Sequence, residues 1–204
     1  MNEATERRMG TEPALTVNET AFAAGVSVKS VNQAIDREHV EPRDLRRATE
    51  RARRGVGESD AVYLSVRQVL APEVWPELYR WFRGKPLAEL PRQLRMGSLV
   101  LDLEFAIGEV ENRLRELERM RERVEVNSEV HGGAPVFRGT RTRVHAIARK
   151  LELGSTVQEL REDFPHLGEE DLDLAARYAR LYPLRGRPRG TSAPDPRKPR
   201  GHDA

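Results

Sequence analysis

The 204-residue chain contains no cysteine. That removes disulfides, thiolate metal sites and cysteine nucleophiles, and it fits a reducing compartment. No apolar run approaches the ~20 residues that a bilayer-crossing helix needs. The opening residues MNEATERRMG lack the hydrophobic stretch of a secretory leader. These absences predict a soluble, cytoplasmic protein without a membrane partner. Aromatic residues are scarce at 5%, and 38% hydrophobic content stands against 33% charged. Each core is therefore small and the surface highly charged. His39, His131, His145, His166 and His202 are scattered and form no HExxH or paired-histidine motif. No metal or cofactor is expected. The acidic residues Asp163, Glu169, Glu170, Asp171 and Asp173 gather around a helix start, where carboxylates favour the helix dipole. A general acid–base pair is a poor reading of them, no nucleophile has a plausible base, and the chain is not expected to be an enzyme. Net charge is small as well, +2. Arginine is nevertheless abundant, and its clusters create local fields that the sum conceals.

What is present is mostly helical punctuation. The fold expected is mainly α with short β strands: two small helical domains joined by a strand and a long helix, with a basic tail. Residues 1–14 are polar and aperiodic and are expected to be disordered. Residues 15–97 form the first domain. In LTVNETAFAAGVSVKSVNQAID, Thr16 or Asn18 can cap one helix, with Ala21, Phe22 and Ala24 as its small apolar face. Gly25 turns the chain, Val26 anchors the turn, Ser27 caps a second helix, and Val28, Val31 and Ile35 recur at helical spacing. This spacing resembles a helix-turn-helix of bacterial regulators. Its second helix offers Ser27, Lys29, Ser30, Asn32 and Gln33 outward, donors and acceptors suited to phosphates and base edges. Arg43, Arg46 and Arg47, with Arg51, Arg53 and Arg54 beyond, supply the cation density a duplex demands. The same region is expected to hold a short helix and a wing-like turn.

Further on, ESDAVYLSVRQVL reads as a helix capped by Ser59 with Val62, Val66, Val69 and Leu70 inward. PEVWPELYRWFRG reads as another, its aromatics Trp75, Tyr79, Trp81 and Phe82 packing a core rather than stacking bases. Residues 98–123 comprise a strand, SLVLDL, and a helix from Glu104 to Arg123. Ile107, Val110, Leu114 and Leu117 step along that helix at coiled-coil spacing for barely two heptads, so it packs on its own domain or forms a dimer seam. Residues 124–182 form the second domain: a strand at Val124–Asn127, then GGAPVFRGTRTRV, then helices at 144–153, 156–162 and 169–182. The glycine-rich stretch is no Walker loop, since no Gly-Lys-Ser/Thr follows, and no dinucleotide fingerprint. Gly132 and Gly133 permit a tight turn, Pro135–Phe137 can pair with the preceding strand, Gly139 turns again, and Thr140 or Thr142 can cap the helix at Val144. Arg138, Arg141 and Arg143 then line an edge that can meet phosphate or an acidic partner. Residues 183–204, rich in Pro, Gly and Arg, are expected to stay unfolded.

Over residues 124–182 the sequence resembles domain-of-unknown-function family 433. The pattern Gly-Gly-x-Pro-x-x-x-Gly-Thr-Arg-x-x-Val is met by Gly132, Gly133, Pro135, Gly139, Thr140, Arg141 and Val144. A downstream Asp-Tyr/Phe-Pro-x-Leu is met by Asp163, Phe164, Pro165 and Leu167. The chain departs from the family at Thr142 and Arg143, where Ile-Pro is frequent. The resemblance implies a small winged-helix-like domain of the kind found in VapB-type antitoxins. It implies a PIN-like ribonuclease toxin as partner, with Arg138, Arg141, Arg143 and the arm residues Arg185, Arg187 and Arg189 as toxin-binding candidates. An arginine entering a carboxylate cluster would neutralise it and compete with its Mg²⁺. The function expected is therefore an antitoxin that neutralises such a toxin and represses its own operon as a homodimer on operator DNA. The alternative is a stand-alone helix-turn-helix regulator without a toxin.

Overall fold

A computed structural model describes residues 14–45, 53–127 and 132–184. Arg46, Arg47 and Arg51, the N-terminal 13 residues and the arm from residue 185 lie outside them. The fold is mainly helical, with eight α-helices and three sets of short antiparallel strands among the described residues.

The first unit opens with strand β1 (Leu15–Thr16), helix α1 (Val17–Ala24) and helix α2 (Val28–Asp36). Thr16, rather than Asn18, caps α1. Its hydroxyl accepts from Glu19 N–H (3.3 Å), and the Glu19 carboxylate accepts from Thr16 N–H (2.8 Å), a reciprocal capping box. Strands β2 (Arg43–Leu45) and β3 (Arg53–Val56) pair antiparallel, with β3 also pairing to β1. Both strands stand inside the basic segment expected to hold a short helix, so no helix occupies residues 43–45 or 53–56. Leu15 and Val56 face each other in the register and are fully buried. The partner β1 lies some forty residues upstream, which local propensity does not register.

Helix α3 (Glu58–Val66) follows, then a 3₁₀ turn at Arg67–Val69 and helix α4 (Trp75–Phe82). Ser59 does not cap α3. Gly57 stands at the cap, with its N–H donated to the Asp60 carboxylate (2.9 Å), while Ser59 is buried. Val62 is buried as expected, but Val69 is exposed because the 3₁₀ turn takes it off the helical face. Tyr63, Tyr79 and Phe82 form a ring cluster with centroids 5.0 and 5.9 Å apart. Trp75 is half-buried, and Trp81 stays exposed under Lys85. The aromatics thus serve largely as core.

Strand β4 (Gln93–Met96), unexpected from sequence, pairs with β5 (Leu99–Asp102) across a two-residue turn at Gly97 and Ser98. β5 leads into the 20-residue helix α5 (Glu104–Arg123). Ile107, Val110, Leu117 and Met120 are buried within the monomer and Leu114 is partly buried. The apolar stripe is therefore consumed by this chain's own core, against α1 and α3.

In the second unit, β6 (Val124–Glu125) pairs with β7 (Val136–Phe137), as the glycine-rich stretch suggested. Helices α6 (Val144–Glu152), α7 (Val157–Asp163) and α8 (Glu169–Leu181) complete it. Thr156 caps α7 in a second capping box with Glu159. Neither Thr140 nor Thr142 caps α6. The cap position is Arg143, without a side-chain bond, and the Thr140 hydroxyl instead closes the turn by donating to Phe137 C=O (2.8 Å) and accepting from Thr142 N–H (3.0 Å). Phe137, Val144 and Ile147 are fully buried, with α6 packed along α8.

Candidate nucleic-acid interface

The turn between α1 and α2 is built from backbone bonds. Val26 N–H donates to Ala21 C=O (3.0 Å) and Gly25 N–H to Phe22 C=O (3.2 Å). Gly25 has φ +66, and a Cβ there would stand 2.7 Å from Arg113 Nη1 of α5. That guanidinium donates to Ala23 C=O (3.2 Å), so α5 caps the end of α1. Ser27 then caps α2, its hydroxyl accepting from Ser30 N–H at 3.1 Å. Val31, Ala34 and Ile35 face the core. Ser27, Lys29, Asn32 and Gln33 are exposed, and Ser30 is half-buried. Lys29, Asn32 and Gln33 lie three and four residues apart and share one face. Of the candidate DNA residues, the structure thus brings these three together on α2, with Ser27 at its start. Arg43 opens β2 and is half-buried, and Arg46 and Arg47 follow it outside the described residues.

Behind α2 stands a group that sequence reasoning missed. Arg67 exposes 6% of its surface. Its guanidinium carbon lies 4.9 Å from the Trp75 ring centroid and 5.6 Å from that of Tyr63. Nη2 donates to Ser30 C=O (3.4 Å) and Nη1 lies 3.4 Å from His39 Nδ1. No local pattern signals this role, because the contacts come from three different elements. Glu19, also missed, did have a signal in the Thr16-x-x-Glu19 capping spacing.

In the second unit, Arg138 turns back onto α5 and donates to Glu122 C=O (2.6 Å) and Arg121 C=O (3.3 Å), helix-end carbonyls that a cation favours. Arg141 and Arg143 are exposed on the turn beyond it. Arg185, Arg187 and Arg189 lie outside the described residues. The acidic residues are largely answered by cations: Asp171 by a two-pronged bond from Arg123 (2.5 and 2.7 Å), Asp163 by Lys150 (3.0 Å), Asp173 by Arg177. The Arg123 bonds hold the Asp171 carboxyl below its ordinary pKa, overcoming burial. Between α5 and the start of α8 runs a groove of about 830 Å³, bordered by Glu116, Glu122, Glu169, Glu170, Arg119 and Arg177. Its excess of carboxylates opposes phosphate.

A relative from Sinorhizobium fredii, "Uncharacterized protein y4eO", is 31% identical over 188 residues, covering 86% of this chain and 84% of its own. Residues 124–179 match the family model "Protein of unknown function (DUF433)". The chain belongs to the DUF433 family. A crystal structure of a DUF433 member from Anabaena variabilis is 27% identical, covers 36% of this chain and 73% of its own, and has a TM-score of 0.30. The crystal structure of Rv2018 from Mycobacterium tuberculosis is 16% identical over 80% of this chain and 97% of its own, with a TM-score of 0.37. Within the family segment the two motifs meet in space. Thr142 Oγ1 lies 2.8 Å from His166 Nε2, and Phe164 stacks edgewise on His166 under Lys150. Among the described residues no helix is long and apolar enough to cross a membrane.

Proposed function

We propose that this DUF433 protein is an antitoxin: it binds its own operator through α2 and neutralises a PIN-like ribonuclease through its C-terminal unit and basic arm. The observation carrying the first half is the α1–turn–α2 pair, whose second helix leaves Lys29, Asn32 and Gln33 on one exposed face, with the antiparallel β2–β3 pair following it in the chain. Such a face fits the major groove, and Arg43, Arg46 and Arg47 supply phosphate contacts. One short helix reads few bases, so a homodimer on a two-fold operator is part of the proposal. The second unit is a poor DNA reader, because Glu169, Glu170 and Asp173 crowd its last helix. It suits a protein partner better. Arg141 and Arg143 immediately precede α6, whose His145 lies 2.7 Å from Tyr182 C=O just past α8, and Arg185, Arg187 and Arg189 follow in sequence. The resemblance to VapB-type antitoxins gives that partner its expected chemistry, a carboxylate cluster holding Mg²⁺.

The test has two parts. Purified protein should retard a duplex from the region upstream of its own reading frame more tightly than a scrambled duplex. Asn32→Ala should weaken that preference by about 1–3 kcal/mol, and Arg46→Ala should lower the salt slope by about one. Equal affinity for both duplexes at every salt concentration removes the operator role. Co-expression with the product of the adjacent reading frame tests the second half. That product should be toxic alone and harmless with the full chain, and deletion of residues 183–204 should restore toxicity. A harmless neighbour, together with specific operator binding, favours the stand-alone regulator.

A further inference from the structure

Behind α2 stands a buried cation that no carboxylate of the described residues answers. Among the described residues Arg67 makes no ion pair. Its guanidinium is held instead by two aromatic faces, the Ser30 carbonyl and the His39 imidazole. Trp75 is itself fixed, its indole N–H shared between Arg67 C=O (3.0 Å) and Leu70 C=O (3.1 Å), and the His39 ring meets it edge-on at 5.5 Å. Beyond the rings and a bond to Tyr63 of α3, its polar contacts lead to Ser30 of α2 and to His39 in the loop that follows it. A desolvated charge without a counter-ion is costly to retain for packing alone, since an apolar side chain of similar length would fill the space.

Arginine can only donate, so His39 Nδ1 must be the acceptor, and the imidazole must be neutral with its proton on Nε2. Protonation turns that nitrogen into a donor and sets a second positive charge 3.4 Å from the first. His39 is placed by the end of α2: its N–H bonds Ala34 C=O (2.8 Å) past Glu38, a non-glycine residue at φ +58. The charged groups acting on the ring are Arg67 from behind and Arg37 from the α2 terminus, while Trp75 of α4 presents a neutral face.

We infer that Arg67 is a positioning residue for the DNA-reading helix, clamping α2 from behind through Ser30 and neutral His39, and that protonation of His39 opens the clamp. The inference rests on the nucleic-acid reading above. Burial, then the Arg67 and Arg37 charges, hold the imidazole pKa below its ordinary 6.5. The clamp is thus complete above pH 6.5 and lost as pH falls through the lower, folded-state value.

The experiment measures binding of the full-length protein to the fluorescein-labelled upstream duplex, with the scrambled duplex as control, from pH 7.5 to 5.0. Acidification ordinarily strengthens DNA binding by adding positive charge. Here wild-type specific affinity should fall, by about tenfold, within the usual range of coupling between sites. His39→Asn keeps an acceptor at the Nδ1 position without titrating, and its profile should be flat. Arg67→Met should bind about tenfold more weakly at neutral pH, with an unchanged salt slope and a melting temperature no lower than wild type. Arg67→Lys should recover part of the affinity. Arg67→Met that binds like wild type overturns the inference, as does a loss of binding that merely follows a loss of melting temperature, or a His39→Asn profile that still falls. Wild-type protein that ignores both duplexes overturns the nucleic-acid reading itself, and the clamp with it.

Discussion

Gly25 is under two constraints at once. Its φ of +66 lies where a Cβ clashes with its own backbone, and the space a Cβ would enter is already filled by Arg113. The left-handed conformation costs an alanine about 1–2 kcal/mol. Displacing Arg113 adds the loss of its bond to Ala23 C=O, near 1 kcal/mol or somewhat more because the donor is charged. Gly25→Ala should therefore lower the unfolding free energy by about 2–3 kcal/mol in urea titration. In an Arg113→Ala background the same change should retain only the backbone part. If the two losses simply add, the side-chain clash is not real. Glu38 makes the converse case. It occupies a left-handed cap position that favours glycine, so Glu38→Gly should not destabilise, despite glycine's larger unfolded-state entropy.

Among the elements, α5 organises the molecule. It packs on α1 and α3, and its end passes into β6 of the second unit. Leu117 is fully buried there. Leu117→Ala should cost about 2–5 kcal/mol. It should leave the mass measured by light scattering unchanged, whereas a dimer seam along this stripe would dissociate. Two readings of this helix were open from its spacing because period alone does not say which surface covers the stripe. The same physics separates what was legible elsewhere. The exposed face of α2 was readable because it is local: a glycine turn, a capping serine and a 3.6-residue period. Strands β2 and β3 were not, because RDLRRATERARR carries good helix formers, while β3 is paired on both sides, by β2 and by the distant Leu15 and Thr16. β4 was hidden for a related reason: QLRM alternates over four residues only, and its partner strand supplies the evidence. Arg67 was hidden more deeply, since nothing near it in sequence distinguishes a buried guanidinium from a solvated one.

At the scale of the whole molecule, one carboxylate ties the first helix to α5 and to the residue that follows the last helix. Glu19 is almost wholly buried. It caps α1, accepts from Arg121 Nη2 of α5 (2.9 Å) and accepts from the Tyr182 hydroxyl (2.6 Å), 163 residues away. Beside it Asn18 Nδ2 donates to Leu181 C=O at 2.9 Å. Burial pushes the Glu19 pKa up, but the Tyr182, Thr16 and Arg121 bonds together outweigh it and leave the pKa below the ordinary 4.5. A carboxyl with a depressed folded pKa adds stability that is complete above pH 4.5 and lost as pH falls through the folded value. Urea midpoints should therefore fall below that pH, and Glu19→Gln should remove this part of the slope. At neutral pH the variant leaves Arg121 without its counter-charge and should lose about 3 kcal/mol. Both tryptophans, Trp75 and Trp81, lie in the first unit, so their fluorescence reports that unit, whereas circular dichroism at 222 nm reports all the helices. If Glu19 couples the units, the two signals should coincide in the wild type and separate in Glu19→Gln, with fluorescence and dichroism giving different midpoints. Coincident curves in both proteins would place the coupling elsewhere, in the shared core of α5.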